Sequence, residues 1–194
     1  MSETEIDLRP FCAKSFDFRD DLAKPFSRFG FTWATNGCIM VRVPRRDDVP
    51  EKEGAVKVAT AFHTASLPEL VPFVPVSPVQ FVAAPTKFCL HCTGRGKIHD
   101  CPACTCDCEG CGGSGRAPEM SCVSVGKGFI DRRYADLMLS LPGLEVKLPR
   151  RGDDSMGFRF EGGEGVLMLF RKGKHPVDGD LMAGAKAMEA QEPQ

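Results

Sequence analysis

Seven cysteines crowd the stretch from Cys89 to Cys111, and their spacing is that of a metal site. Cys89-Leu-His-Cys92-Thr-Gly94-Arg-Gly96 and Cys108-Glu-Gly-Cys111-Gly-Gly113-Ser-Gly115 share one pattern, C-x-x-C-x-G-x-G, and Cys101-Pro-Ala-Cys104 with Cys106 lies between them. Thiolates two residues apart can both reach one Zn²⁺ at about 2.3 Å, and two such pairs close a tetrahedral shell. The glycines have a task too: a chain wrapped tightly round a metal needs left-handed backbone positions and N–H groups close to the sulfurs. The first choice is one Cys₄ site from Cys89, Cys92, Cys108 and Cys111. A second Zn²⁺ could use Cys101 and Cys104 with two of Cys106, Cys122, His91 and His99. An alternative pairing joins Cys101/Cys104 to Cys108/Cys111, and spacing does not choose between them. A Cys₄ shell leaves no open position for water, and the H-x-E companion of zinc deaminases is missing, so the chemistry expected is structural rather than catalytic. Roughly 30 residues without a hydrophobic run hold no fold unaided, so metal binding must supply the folding energy.

The repeated C-x-x-C-x-G-x-G resembles the cysteine-rich zinc domain of DnaJ-type chaperones, in which four such modules bind two zincs and the outer modules pair with each other. The resemblance covers only about 30 residues, and it departs from that family because Cys101/Cys104 runs into Cys106 and Cys108 with no Gly-x-Gly. The chain has no His-Pro-Asp signature of a J-domain. What the resemblance implies is the metal site, not the co-chaperone activity.

Two classes of function follow. The first is a non-enzymatic binding protein that docks onto nucleic acid or onto replication or host proteins. Lys87, Arg95, Lys97 and Arg116 flank the cysteines, and Arg132, Arg133, Lys147, Arg150 and Arg151 dot the second half. Of these, Arg95, Lys97, Arg132 and Arg133 are the candidates for phosphate contacts. Cations there would equally offset the formal charge of −2 on a Cys₄–Zn centre. The second class is a chaperone or thiol–disulfide factor using Cys101-Pro-Ala-Cys104. That chemistry wants the motif at a helix N-terminus, where the dipole lowers the thiol pKa, and no helical pattern follows it here. No carboxylate pair, Ser/His/Asp set or phosphate loop is visible.

Composition narrows the setting. A formal net charge of −1 neither demands nor excludes a nucleic-acid partner. Eight of the ten cysteines lie between positions 89 and 122, which argues for metal in a reducing cytoplasm rather than for a dispersed disulfide framework. The acidic start and the lack of an 18-residue apolar run point to no signal peptide and no membrane span.

Around the cysteines the chain reads as strands. Phe31-Thr-Trp-Ala-Thr, Asn36-Gly37 and Cys38-Ile-Met-Val-Arg-Val predict a hairpin with a type I′ turn, pairing Thr35 with Cys38 and Trp33 with Met40. Trp33, Cys12 and Cys38 read as packing, and His63 as an ordinary histidine. A short helix is expected over Phe18–Lys24, and a short helix or strand over Lys57–His63. Prolines at 68, 72, 75, 78 and 85 favour an extended, edge-like segment. Ser121–Val125 reads as a strand and Phe129-Ile130 as its continuation or successor. Asp131 caps a helix through Ser140 with Tyr134, Leu137, Met138 and Leu141 on one face. Strands at Leu144–Leu148, Phe158–Phe160 and Val166–Phe170 complete a β-α-β-β-β order. Residues 176–194 read as a weakly helical or disordered tail.

This second half, with its Leu141-Pro-Gly stop, Gly-rich hairpin and closing Arg171, resembles half of a DNA sliding-clamp domain. The Trp33-Ala-Thr-Asn-Gly hairpin is similar to the other half, where clamps carry an Ala-Thr-Asp-Gly turn. The implied class is α+β: clamp-like β-α-β-β-β halves at 1–85 and 119–175, a zinc module inserted at 86–118, and a tail at 176–194. The whole is also similar to phage or prophage proteins of this build. One such domain could encircle DNA only as an oligomer.

Overall fold

β-Rich runs on either side of Asn36-Gly37 form the first long hairpin of a seven-stranded antiparallel sheet. The computed structural model describes residues 5–14, 22–53, 71–81, 86–101, 104–108, 110–149, 154–171 and 175–183; the side chains at 99–101, 104 and 118 lie outside that description. The chain divides into two compact units, Met1–Gln80 with Cys122–Gln194, and Phe81–Ser121.

The larger unit holds β1 (Phe26–Arg28), β2 (Phe31–Thr35), β3 (Ile39–Pro44) and β4 (Phe73–Pro75) before the smaller one. The smaller unit holds β5 (Thr86–Phe88), β6 (Lys97–Cys101), β7 (Cys104–Asp107) and β8 (Arg116–Pro118). Then follow β9 (Cys122–Val125), β10 (Gly128–Asp131), α1 (Arg132–Leu139), β11 (Glu145–Lys147), β12 (Ser155–Phe160), β13 (Gly163–Met168) and β14 (Val177–Asp180).

The expected α+β class with β-α-β-β-β halves does not hold. The fold is sheet-dominated, with a single α-helix among the described residues. No half closes on itself. Strands from both sides of the smaller unit interleave in the order β1-β2-β3-β13-β12-β11-β4, while β9 and β10 join a separate sheet, β10-β9-β14. The physical reason is burial. Leu167 of β13 is buried opposite Ile39 of β3, and on the other face of the sheet Val166, opposite Met40, packs with Phe26 and Trp33. That gain outweighs the loop-closure entropy of a long-range pairing, which grows only slowly with loop length.

The hairpin register also departs from a two-residue turn. Thr35 pairs with Met40 and Trp33 with Arg42, two residues on from the expected partners. Only Gly37 of the Asn-Gly pair has positive φ, at 88°. The Asn36 side chain builds the turn instead: its Oδ1 accepts from the N–H groups of Cys38 (3.0 Å) and Ile39 (3.1 Å). Trp33 therefore meets the Arg42 guanidinium, 5.4 Å from its ring, as its cross-strand neighbour. Cys38 is exposed at this turn rather than buried, whereas Cys12 is buried and burial pushes its thiol up to about 11.

Pro72 and Pro78 bracket β4 and Pro75 ends it; the strand lies at the end of the sheet order, where missing N–H donors are tolerated. Asp131 caps α1 by accepting from the Arg133 N–H at 2.9 Å, and Ala135 and Met138 are its buried residues. The expected tail at 176–194 begins instead with β14, parallel to β9, and Leu181 and Met182 are buried behind it. Two apolar side chains decide this, against the polar average of the segment. The helix expected over Phe18–Lys24 falls mostly outside the described residues, and the helix or strand expected over Lys57–His63, with His63, wholly so.

Glycine and phenylalanine face each other across the β12–β13 hairpin, Phe158 opposite Gly165 and Phe160 opposite Gly163. A Cβ on Gly165 would overlap the ring of Phe158, which is 1% exposed and has nowhere to move. Gly165→Ala should therefore destabilise the larger unit by about 1–3 kcal/mol. A urea melt with intrinsic tryptophan fluorescence would read this, and an unchanged midpoint would contradict it.

Candidate metal centre

The smaller unit is built from two copies of one tight turn. In the first, the Gly94 N–H donates to the Cys89 carbonyl (3.0 Å) and the Arg95 N–H to that of Cys92 (3.1 Å). In the second, Gly113 donates to Cys108 (3.2 Å) and Ser114 to Cys111 (3.2 Å). The turns then lock together reciprocally, with Cys89 N–H donating to Gly115 O (2.9 Å) and Cys108 N–H to Gly96 O (2.8 Å). The strands repeat the exchange: β5, entering the first turn, pairs with β8, leaving the second, and β6 pairs with β7. The result is a pseudo-twofold unit with equivalent residues 19 apart.

This symmetry gathers four thiols. Cys89, Cys92, Cys108 and Cys111 have sulfurs all within 4.8 Å of one another, and Cys89–Cys108 and Cys92–Cys111 are both at 3.8 Å. All four are free, since a disulfide would bring sulfurs to about 2.05 Å. Three are buried and Cys111 is half-buried, with Ile98 and Ala117 packed against them. The last glycine of each turn points its N–H at the second cysteine: Gly96 to Cys92 Sγ and Gly115 to Cys111 Sγ, both at 3.2 Å. Burial works to raise the Cys92 thiol, but the Gly96 N–H and the sulfurs of Cys111, Cys89 and Cys108 outweigh it and lower it to about 7. Burial and the sulfurs of Cys111, Cys89 and Cys92 push Cys108 up to about 12. Four thiolates this close repel one another, so all can ionise together only round a cation. The cluster is one that could hold a metal ion.

Backbone conformation explains the glycines. Gly94, Gly96, Gly113 and Gly115 have φ between 73° and 82°, the left-handed region. A Cβ on Gly96 would collide with the Gly113 carbonyl oxygen, and one on Gly115 with that of Gly94. Thr93 takes the same left-handed region, φ 51°, where its counterpart is Gly112 at 57°.

Other candidate residues are placed differently. Cys106 is exposed in β7 and outside the cluster. Cys101 ends β6 and Cys104 opens β7, paired in register across a hairpin, and their side chains and that of His99 are outside the described residues. Since a strand starts at Cys104, this motif has no helix N-terminus to activate a thiol. His91 is exposed, outside the four-sulfur cluster. Cys122 belongs to the larger unit, where its thiol donates to Pro176 O at 3.4 Å.

Of the four cations singled out, Lys97 pairs with Asp107 at 3.7 Å. Arg132 is largely buried between Asp136 and Asp178, each at 3.1 Å, and Arg133 clasps Asp131 at 2.7 Å. Arg95 is exposed and donates to the Cys92 carbonyl at 3.3 Å. Arg150 and Arg151 lie outside the described residues.

Residue by residue the duplication is longer than the cysteine motif, running from Thr86 and Thr105 through to the packing pair Ile98 and Ala117. Aligning the sequence on itself at this offset would have exposed it. No family model matches the chain, and neither a curated protein nor a solved structure is similar to it. Among the described residues no helix is long and apolar enough to cross a membrane.

Proposed function

We propose that this is a non-enzymatic zinc-binding protein acting as an interaction module, in which the paired cysteine turns hold one structural Zn²⁺ and present a surface to nucleic acid or to a protein partner. The observation that carries the reading is the sulfur spacing. Thiolates at about 2.3 Å on the corners of a tetrahedron lie about 3.8 Å apart, and 3.8 Å separates Cys89 from Cys108 and Cys92 from Cys111. Four sulfurs saturate such an ion, so it has no position for a water or a substrate, and its role is to fold the unit. The resemblance to DnaJ-type zinc modules, whose outer turns pair, supports the same ligand set. A reducing compartment such as the cytoplasm would keep these thiols available.

Metal analysis of protein purified under reducing conditions should find one zinc per chain. A thiol titration should gain four reactive cysteines on chelation. Cys89→Ser or Cys108→Ser should lose the metal, whereas Cys38→Ser, at an exposed cysteine outside the cluster, should keep it. Protein that carries no metal, or a cluster variant that retains it fully, would overturn the reading.

A further inference from the structure

The two cysteine turns have matching backbones but unlike surfaces. Phe88 stands where the second turn has Asp107, and Leu90 where it has Glu109. Phe88 is 69% exposed and Leu90 83%, although both are large apolar side chains. The Phe88 ring is not loose: it lies against Gly94, where a Cβ would come within 2.9 Å of it.

One arginine lies against this ring, and a second follows the glycine that the ring touches. Arg116 is the cross-strand partner of Phe88, with the guanidinium 5.5 Å from the ring centroid. Thr86 holds that guanidinium in place, accepting from Nε through Oγ1 at 2.9 Å and from a terminal nitrogen through its carbonyl at 3.1 Å. Arg95 follows Gly94 and is anchored by the Cys92 carbonyl. Among the described residues neither arginine has a carboxylate partner, whereas Arg42, Arg132, Arg133 and Arg159 each do. A guanidinium fixed by neutral acceptors keeps its full charge and its remaining N–H groups for an outside anion.

We infer that the Phe88 ring, with Arg116 against it and Arg95 next in sequence to the glycine it touches, is a stacking platform for an unpaired base of single-stranded nucleic acid, with the two arginines taking the adjoining phosphates. This rests on the proposed role as an interaction module and names the partner. An exposed aromatic ring on a unit that also carries fixed cations suits an unpaired base and its backbone, because every base offers a π-face and every step carries a phosphate. A base inside a duplex has its faces covered by its neighbours. An apolar peptide would use Phe88 and Leu90 but leave both guanidinium groups unanswered.

Fluorescence anisotropy with a fluorescein-labelled oligothymidylate of about 12 nucleotides tests this on the full-length, zinc-loaded protein, with zinc content read on every sample. Wild type should bind, and Phe88→Ala should weaken binding about 5-fold or more, since stacking on one aromatic side chain is worth about 1–3 kcal/mol per base. Phe88→Tyr, which keeps the ring, should bind as wild type does. Arg95→Ala/Arg116→Ala should flatten the dependence of log K on log salt by about 1.4, at about 0.7 for each phosphate no longer neutralised. A wild type that keeps its zinc yet fails to bind overturns this inference and leaves the metal reading standing. So does Phe88→Ala binding at full strength, or a duplex binding as tightly as the single strand. Because Phe88 adjoins a metal ligand, a Phe88→Ala that loses zinc hands the decision to Phe88→Tyr and the arginine pair, whose wild-type salt slope would then refute it.

Discussion

Gly96→Ala and Gly115→Ala should each loosen the metal by about 10–100-fold, the range seen when a group supporting a metal ligand is lost. Each glycine has three duties, and alanine fails all of them. Its φ, 74° for Gly96 and 73° for Gly115, is in the left-handed region. Its N–H donates to a sulfur at 3.2 Å. Its missing Cβ also lets the opposite turn approach, for a Cβ on Gly96 or Gly115 would strike the carbonyl oxygen of Gly113 or Gly94. Backbone cannot swing aside as a flexible side chain can, so the two turns would have to part, and the four sulfurs with them. Gly112→Ala is the matched control. Gly112 has φ 57° but nothing within 4 Å of a Cβ, so only the left-handed strain remains, about 1–2 kcal/mol. Competition against a chromogenic chelator would rank the three variants. Equal affinities in Gly96→Ala and Gly112→Ala would show that the close approach of the turns does not matter.

Trp33→Ala should cost the larger unit about 3–5 kcal/mol, a large part of the total stability of an ordinary domain. Trp33 is 1% exposed and forms one cluster with Phe26 and Val166, against which Phe31 and Met40 also pack. Val166 comes from β13, far along the sequence, so the indole joins strands from both sides of the smaller unit. Its Nε1 donates to Arg28 O at 2.9 Å, and Arg42 lies over both its ring and that of Phe31. Removing it leaves a cavity and an unsatisfied carbonyl together. Phe29→Ala provides the comparison: Phe29 is 52% exposed, and little should change there. Urea denaturation followed by circular dichroism would separate the two, and a Trp33→Ala midpoint equal to that of Phe29→Ala would refute this account of the core.

The four-cysteine cluster was legible because its information is local. Two cysteines two residues apart, backed by glycines at fixed offsets, specify a turn whatever surrounds it, and the duplicate pattern supplies the partner turn. Asp131 as a cap and the strands on either side of Asn36-Gly37 were legible for the same reason. The hairpin register was not, because it depends on a side chain, Asn36, that takes over hydrogen bonds a two-residue turn would make in the backbone.

Long-range pairing was hidden altogether. The order from β10 to β13 reads as a self-contained β-α-β-β-β half, yet β13 pairs with β3 and β11 with β4. Alternation tells which side chains of a strand are to be buried, not which strand will lie beside it. By itself the sequence determined that cysteine turns must pair and that strands surround them, and the structure then chose Cys89, Cys92, Cys108 and Cys111 from the pairings it left open. Only the tertiary structure decided which strands share a sheet, since that choice depends on apolar faces matching between residues far apart in the chain, as Leu167 matches Ile39 and Val166 matches Met40.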